Sequence, residues 1–152
     1  MASHELFHCW NVKTIRPREM MPYDLTRENY ASTGYVYEGI TTYYGDLILG
    51  RTGFFNLTQL LVEFSSRLQR HMDNPGRFNY SVAESSFDTW LDGYVAGVPG
   101  RKVSIYDEGC LIAWLLDFMI RSATNSRCSL DDVMRNMNEA FGRKSIGYSA
   151  ED

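Results

Sequence analysis

A chain of 152 residues with 44% hydrophobic content can bury the core of one domain and has no room for two of ordinary size. Its net charge of -4 and isoelectric point near 5.4 argue against nucleic acid or an anionic membrane as partner, since both call for clustered basic surface. The longest apolar run, Cys110 to Ile120 with Asp117 inside it, is too short to span a bilayer and reads as a buried helix.

In chain order the pattern is mostly helical. A first helix is predicted from about Ala2 to Trp10, after which Ile15-Arg16-Pro17 and Met21-Pro22 impose an extended, turn-rich stretch. A second begins around Glu28 or Tyr35, runs to Leu49 and ends near Gly50 or Gly53. Asn56 caps a third, in which Leu57, Leu60, Leu61, Phe64 and Leu68 recur at helical spacing. Between Met72 and Ser104, Asn74-Pro75-Gly76, Gly93, Gly97 and Pro99-Gly100 predict a long loop region with one short amphipathic piece near Phe87 to Leu91. A loop of that length in a compact domain is usually functional, and this one is expected to form part of a substrate cleft.

A fourth helix, Tyr106 to Arg121, is apolar nearly all round and should be the central one. Ser129 with Asp132 opens a fifth as a capping pair, and Leu130, Val133, Met134, Met137 and Phe141 form its buried stripe before Gly142. The fold class is therefore mainly α, a helical bundle, with no internal repeat. Cys9, Cys110 and Cys128 are too scattered for a disulfide framework or a structural zinc site and are expected to be buried thiols.

The chemistry concentrates at the start of the chain. His4-Glu5-Leu6-Phe7-His8 is an HExxH pattern; on a helix, residues four apart share a face, so both imidazoles can grip one ion while Glu5 leans toward whatever else that ion binds. Glu38, in Tyr37-Glu38-Gly39-Ile40-Thr41-Thr42-Tyr43-Tyr44-Gly45, supplies a third ligand. Zinc held by His4, His8 and Glu38 would lower the pKa of a bound water and polarise a scissile carbonyl, with Glu5 as the general base. Metal-dependent hydrolysis of a peptide substrate is the leading reading. A bare HExxH also arises by chance on amphipathic helices, and His71 beside Arg70 is most simply a cation near a helix C-terminus.

A catalytic helix at residue 4 has little before it to pack on, so the chain is expected to be an excerpt, with Met1-Ala2 an added start. Apolar surface left where a preceding sheet belongs would then favour self-association.

The wider sequence carries a resemblance. His4-Glu5-Leu6-Phe7-His8-Cys9-Trp10-Asn11-Val12-Lys13 with Ile15-Arg16-Pro17 resembles the HExxHxWNVKxIRP block of the glycyl aminopeptidase family of zinc peptidases. The likeness continues through Tyr23-Asp24, Thr26-Arg27-Glu28-Asn29-Tyr30, Glu38-Gly39, Tyr43-Tyr44-Gly45-Asp46, Ser81 to Asp88, Tyr106-Asp107-Glu108-Gly109 and Ser129 to Val133. It implies a gluzincin whose third ligand is the matching Glu38, the chain being the C-terminal helical part of a thermolysin-like catalytic domain. It further implies a β-rich domain before this segment and often a PDZ-like domain after it, with aminopeptidase activity on small N-terminal residues such as glycine or alanine.

The resemblance also makes Tyr106 the residue that hydrogen-bonds the tetrahedral intermediate, although Glu108 stands where related aminopeptidases carry lysine. Gluzincins often orient a zinc histidine with an acidic residue four positions after the glutamate ligand; that position is Thr42 here, which leaves the partner unassigned, and Asp46 would serve only if the helix bent. Trp10 to Lys13 and Arg16 are expected to support the site or anchor the extended stretch, and Arg16 or Arg27 to form exposed salt bridges. Two competing readings are an inactive excerpt of such an enzyme and a non-catalytic peptide-binding or scaffold module. Retention of Glu5 and Tyr106 beside three ligands argues against the scaffold.

Overall fold

The computed structural model describes residues 2–92 and 97–152. Met1, part of the predicted added start, and Gly93, part of the predicted loop, lie outside the described residues. The mainly α expectation holds: helix accounts for 63% of the chain and no sheet forms among the described residues. Among the described residues seven α-helices follow one another: α1 (Ala2–Phe7), α2 (Ile40–Arg51), α3 (Leu57–Asp73), α4 (Val82–Phe87), α5 (Thr89–Asp92), α6 (Ile105–Thr124) and α7 (Leu130–Ala140). No described helix is long and apolar enough to cross a membrane.

Caps fix most of the helix starts. Asn56 with Gln59, Ser81 with Glu84 and Ser129 with Asp132 form complete capping boxes, and Ser104 accepts the Asp107 N–H at the head of α6. Each satisfies backbone donors that a helix terminus leaves without partners. The box at Ser81 also explains why the predicted loop is partly helical. It nucleates α4, Pro75–Phe78 forms a 3-10 turn, and Arg101 clamps Asp88 and Asp92 at 2.6 Å each. The density of glycine and proline concealed these short pieces.

The first helix is shorter than expected. It closes at Phe7, where Cys9 and Trp10 donate to carbonyls three residues back, and Val12 takes a φ of 134°, a strained conformation for a β-branched side chain. The buried Asn11 amide holds that turn by donating to the carbonyls of Val36 and Tyr37 and to Thr41 Oγ1. The second helix starts as a π turn, Tyr35–Gly39, before becoming α2.

The π turn and α2 pack against α6, with α1 laid on α2 and α3 on α6. At the crossing, a Cβ on Gly39 would lie 2.3 Å from Gly109 Cα, and one on Gly109 would lie 2.4 Å from Tyr35 O. Only two glycines allow backbones to approach so closely. The core consists of Phe7, Ile15, Ile40, Tyr43, Tyr44, Cys110, Ala113, Leu130, Met134 and Tyr148. Helix α6 is central, yet Leu115, Phe118 and Met119 on it, and Leu57, Leu61 and Leu68 on α3, are exposed. Of the cysteines only Cys110 is buried, its thiol pushed up to about 12 chiefly by burial. Cys9 and Cys128 are exposed, contrary to expectation, because Cys9 lies in the turn after α1 and Cys128 in the connection before α7.

Two consecutive tyrosines of α2 tie the bundle together. Tyr43 donates to Asp117 on α6 and Tyr44 to Asp131 on α7. Asp117 is 7% exposed; it also accepts the Leu130 N–H and the Arg121 guanidinium. Burial alone would raise its carboxyl, but Arg121, Leu130 and Tyr43 together hold it below the ordinary carboxylate range. The stability it contributes is thus fully present above that range and is lost as pH falls through its folded value. Asp117→Asn keeps the shape but turns an amide donor toward either the Tyr43 or the Leu130 donor. The expected cost is about 2 kcal/mol, read as a lower urea midpoint, and an unchanged midpoint would remove Asp117 from this role.

Candidate metal centre

The structure brings His4, His8 and Glu38 together, with one donor atom from each lying within 4.8 Å of the others. Tertiary contacts position helix α1 over α2. Phe7 stacks on Tyr44 with ring centroids 4.4 Å apart, Ser3 Oγ donates to the Gly45 carbonyl at 2.8 Å, and Gly45 leaves room for the His4 backbone. These contacts turn His4 and His8 toward the π turn that carries Glu38.

Both imidazoles present Nε2 to the same carboxylate oxygen. His4 Nε2 and His8 Nε2 each lie 3.3 Å from Glu38 Oε2, and the rings meet edge to face at 4.7 Å. Zinc bonds near 2.0–2.1 Å in a tetrahedron separate the donors by about 3.3 Å, so the spacing suits that ion. Burial and the neighbouring His8 push His4 below its ordinary pKa against the pull of Glu38. The hydrogen bond to Glu38 holds His8 above its own. The Glu38 carboxylate thus favours positive charge beside the rings.

The partners on the far side of the rings are clear. The Asn11 carbonyl, 2.8 Å from His8 Nδ1, can only accept, so His8 donates there. Trp10 to Lys13 was expected to support the site, and it does so through the Asn11 main chain. His4 Nδ1 lies 3.3 Å from Thr42 Oγ1, a contact unassigned from sequence because a hydroxyl occupies the position where a carboxylate was sought. Asp46 does not take that part; it pairs with Arg67 at 2.8 Å.

Glu5, His4, His8, Glu38, Thr42 and Tyr106 share the wall of a cavity of about 620 Å³. The side chain of Glu5 is exposed, and the Tyr106 ring lies 6.3 Å from that of His4. Arg67 on α3 joins Asp46 on α2 to Asp107 at 3.0 Å on α6, with Arg70 on the same carboxylate at 2.8 Å, which fixes the turn that carries Tyr106. Sequence reasoning missed this clamp, because nothing local signals pairs so far apart in the chain. Described residues from 72 to 104 do not line the cavity, so the described part of the predicted loop contributes none of its walls.

The remaining candidates fall outside the site. His71 Nδ1 sits 2.7 Å from Glu108, which gives it a side-chain partner beyond the helix terminus proposed for it. Arg27 pairs with Asp24 at the surface, as expected of an exposed bridge. Arg16 instead bonds the carbonyls of Val12 and Lys13 and covers the Tyr23 ring.

Residues 1–112 match the model of the M61 glycyl aminopeptidase family. A crystal structure of an aminopeptidase N family protein from Idiomarina loihiensis superimposes with a TM-score of 0.91 at 36% identity. The match covers 96% of this chain and 25% of that one, so the chain spans a quarter of the length of that solved relative. No curated protein matches it.

Proposed function

Because the chain belongs to the M61 glycyl aminopeptidase family, we propose that its cavity hydrolyses peptides from the amino terminus with zinc held by His4, His8 and Glu38. The observation that supports this reading most is the convergence of those three donors, at zinc-like spacing, on a cavity that also contains Glu5 and Tyr106.

Zinc at that place supplies Lewis acidity toward a carbonyl and a water. The chain's own residues do the rest. The Glu5 carboxylate accepts the proton of the attacking water and passes it to the leaving amine. The Tyr106 phenol donates a hydrogen bond to the oxyanion as charge develops on the carbonyl. His4 and His8 are neutral ligands, so the single carboxylate of Glu38 leaves the centre net positive, which favours that oxyanion. The substrate class proposed is a peptide with a small first residue, glycine or alanine.

The test is elemental analysis of the purified chain, taken with hydrolysis of glycyl and alanyl chromogenic amides. Near one zinc per chain with turnover is expected. Glu38→Ala removes one of three protein ligands, and zinc retained after dialysis should fall from near one per chain to near none. Unchanged metal content in that variant would overturn the ligand set.

A further inference from the structure

We propose that Thr42 is a positioning residue that locks His4 in the tautomer able to bind metal, with Glu38 anchoring the arrangement at both ends. The proposal rests on the zinc reading above only for its consequence; the hydrogen-bond assignment stands on geometry.

Thr42 has one hydroxyl proton and two neighbours for it. The Glu38 carbonyl lies 2.8 Å from Thr42 Oγ1, and His4 Nδ1 lies at 3.3 Å. A carbonyl has no proton to give, so at the shorter contact Thr42 must be the donor. Its proton thus committed, the hydroxyl can only accept from His4, which places a hydrogen on His4 Nδ1 and leaves the lone pair on Nε2. Nε2 lies 3.3 Å from Glu38 Oε2, an acceptor that draws a hydrogen to that nitrogen until a cation takes the carboxylate, so the Thr42 contact favours the metal-binding tautomer against that pull. On His8 the Asn11 carbonyl fixes the Nδ1 hydrogen by another route.

The contacts close into a ring: the Glu38 carbonyl accepts from Thr42, Thr42 accepts from His4, and His4 Nε2 faces the Glu38 carboxylate. One helical turn therefore supplies a ligand and, through its main chain, orients the other. Thr42 is 7% exposed, which limits competition from water for its hydroxyl. Both outer acceptors, Thr42 and Asn11, are neutral oxygens. They fix the rings without the added basicity that an outer carboxylate gives an imidazole.

Thr42→Val and Thr42→Ser separate this role from packing. Valine keeps the volume and removes the hydroxyl; serine keeps the hydroxyl and drops a methyl. Chelator competition is expected to show zinc bound 10–100-fold more weakly in the valine variant, on the order of other losses of outer hydrogen bonds to metal ligands, with serine close to wild type. Nitrogen-15 NMR at alkaline pH is made in a Glu38→Ala background, which removes the competing carboxylate and keeps the main-chain carbonyl that Thr42 bonds; His4 should be the Nδ1–H tautomer with threonine or serine at position 42, and a mixture with valine. Equal zinc affinity in all three chains that keep Glu38, or equal losses for valine and serine, would overturn the proposal, as would a His4 protonated on Nε2 beside Thr42 in the Glu38→Ala background. If wild type takes up no zinc, the function proposed above fails, and the NMR result still decides the part played by Thr42.

Discussion

Glu5→Gln is expected to abolish hydrolysis of glycyl and alanyl amides, by at least about 10²-fold, and to leave zinc content unchanged. The substitution replaces a proton acceptor by an amide of the same shape. Glu5 is not among the three converging donors, so its loss takes no ligand from the ion. Its side chain is exposed on the cavity wall, where it can meet a water and then a leaving amine. The two readouts together are diagnostic. Metal lost with activity would make Glu5 structural, and activity retained within about threefold would eliminate it as the base. A scaffold that only bound peptides would have no turnover to lose, and its binding would survive.

The second large effect is expected from packing alone. Gly39→Ala should destabilise the fold by more than about 3 kcal/mol, in the range where overpacking is diagnostic. The new methyl would lie 2.3 Å from Gly109 Cα and 2.5 Å from Gly109 C. Both are main-chain atoms of the central helix, which cannot swing aside as a side chain can. Relief requires the π turn and α6 to separate, and Glu38 precedes Gly39 while Tyr106 stands three residues before Gly109. The variant should therefore lose zinc and soften the fold together. Urea unfolding with parallel metal analysis checks this, and a shift under about 1 kcal/mol would mean that the crossing has slack.

Much of this architecture was legible in local signals. The cap at Asn56 and the capping pair at Ser129 marked helix starts where the structure has them, and the spacing of His4 and His8 announced a shared face. Glu38 was identifiable because it lies beside Gly39 in a segment resembling a known family. What escaped was written in contacts remote in sequence. Arg67 bridges Asp46 and Asp107 across separations of 21 and 40 residues, a pattern with no local periodicity. Thr42 escaped for a different reason: the search at that position was for charge, whereas a hydroxyl suffices once a carbonyl has taken its proton. The short helices α4 and α5 were hidden by glycine and proline around them, because a capping box and an arginine clamp outweigh weak propensity over so few residues.

The division of the ligands between two stretches of chain has a thermodynamic consequence. Helix α1 carries both imidazoles and the carboxylate of Glu5, while Glu38 is supplied from the π turn before α2. The three donors meet only while α1 lies against α2, and any local opening between these segments separates them. Any cation that engages His4, His8 and Glu38 at once must therefore bind the closed form and pull that equilibrium toward it, by an amount that grows with the logarithm of its concentration. Occupancy of the site and order at the start of the chain become two readings of one equilibrium, and amide exchange in α1 would report on the ion as directly as a metal assay does.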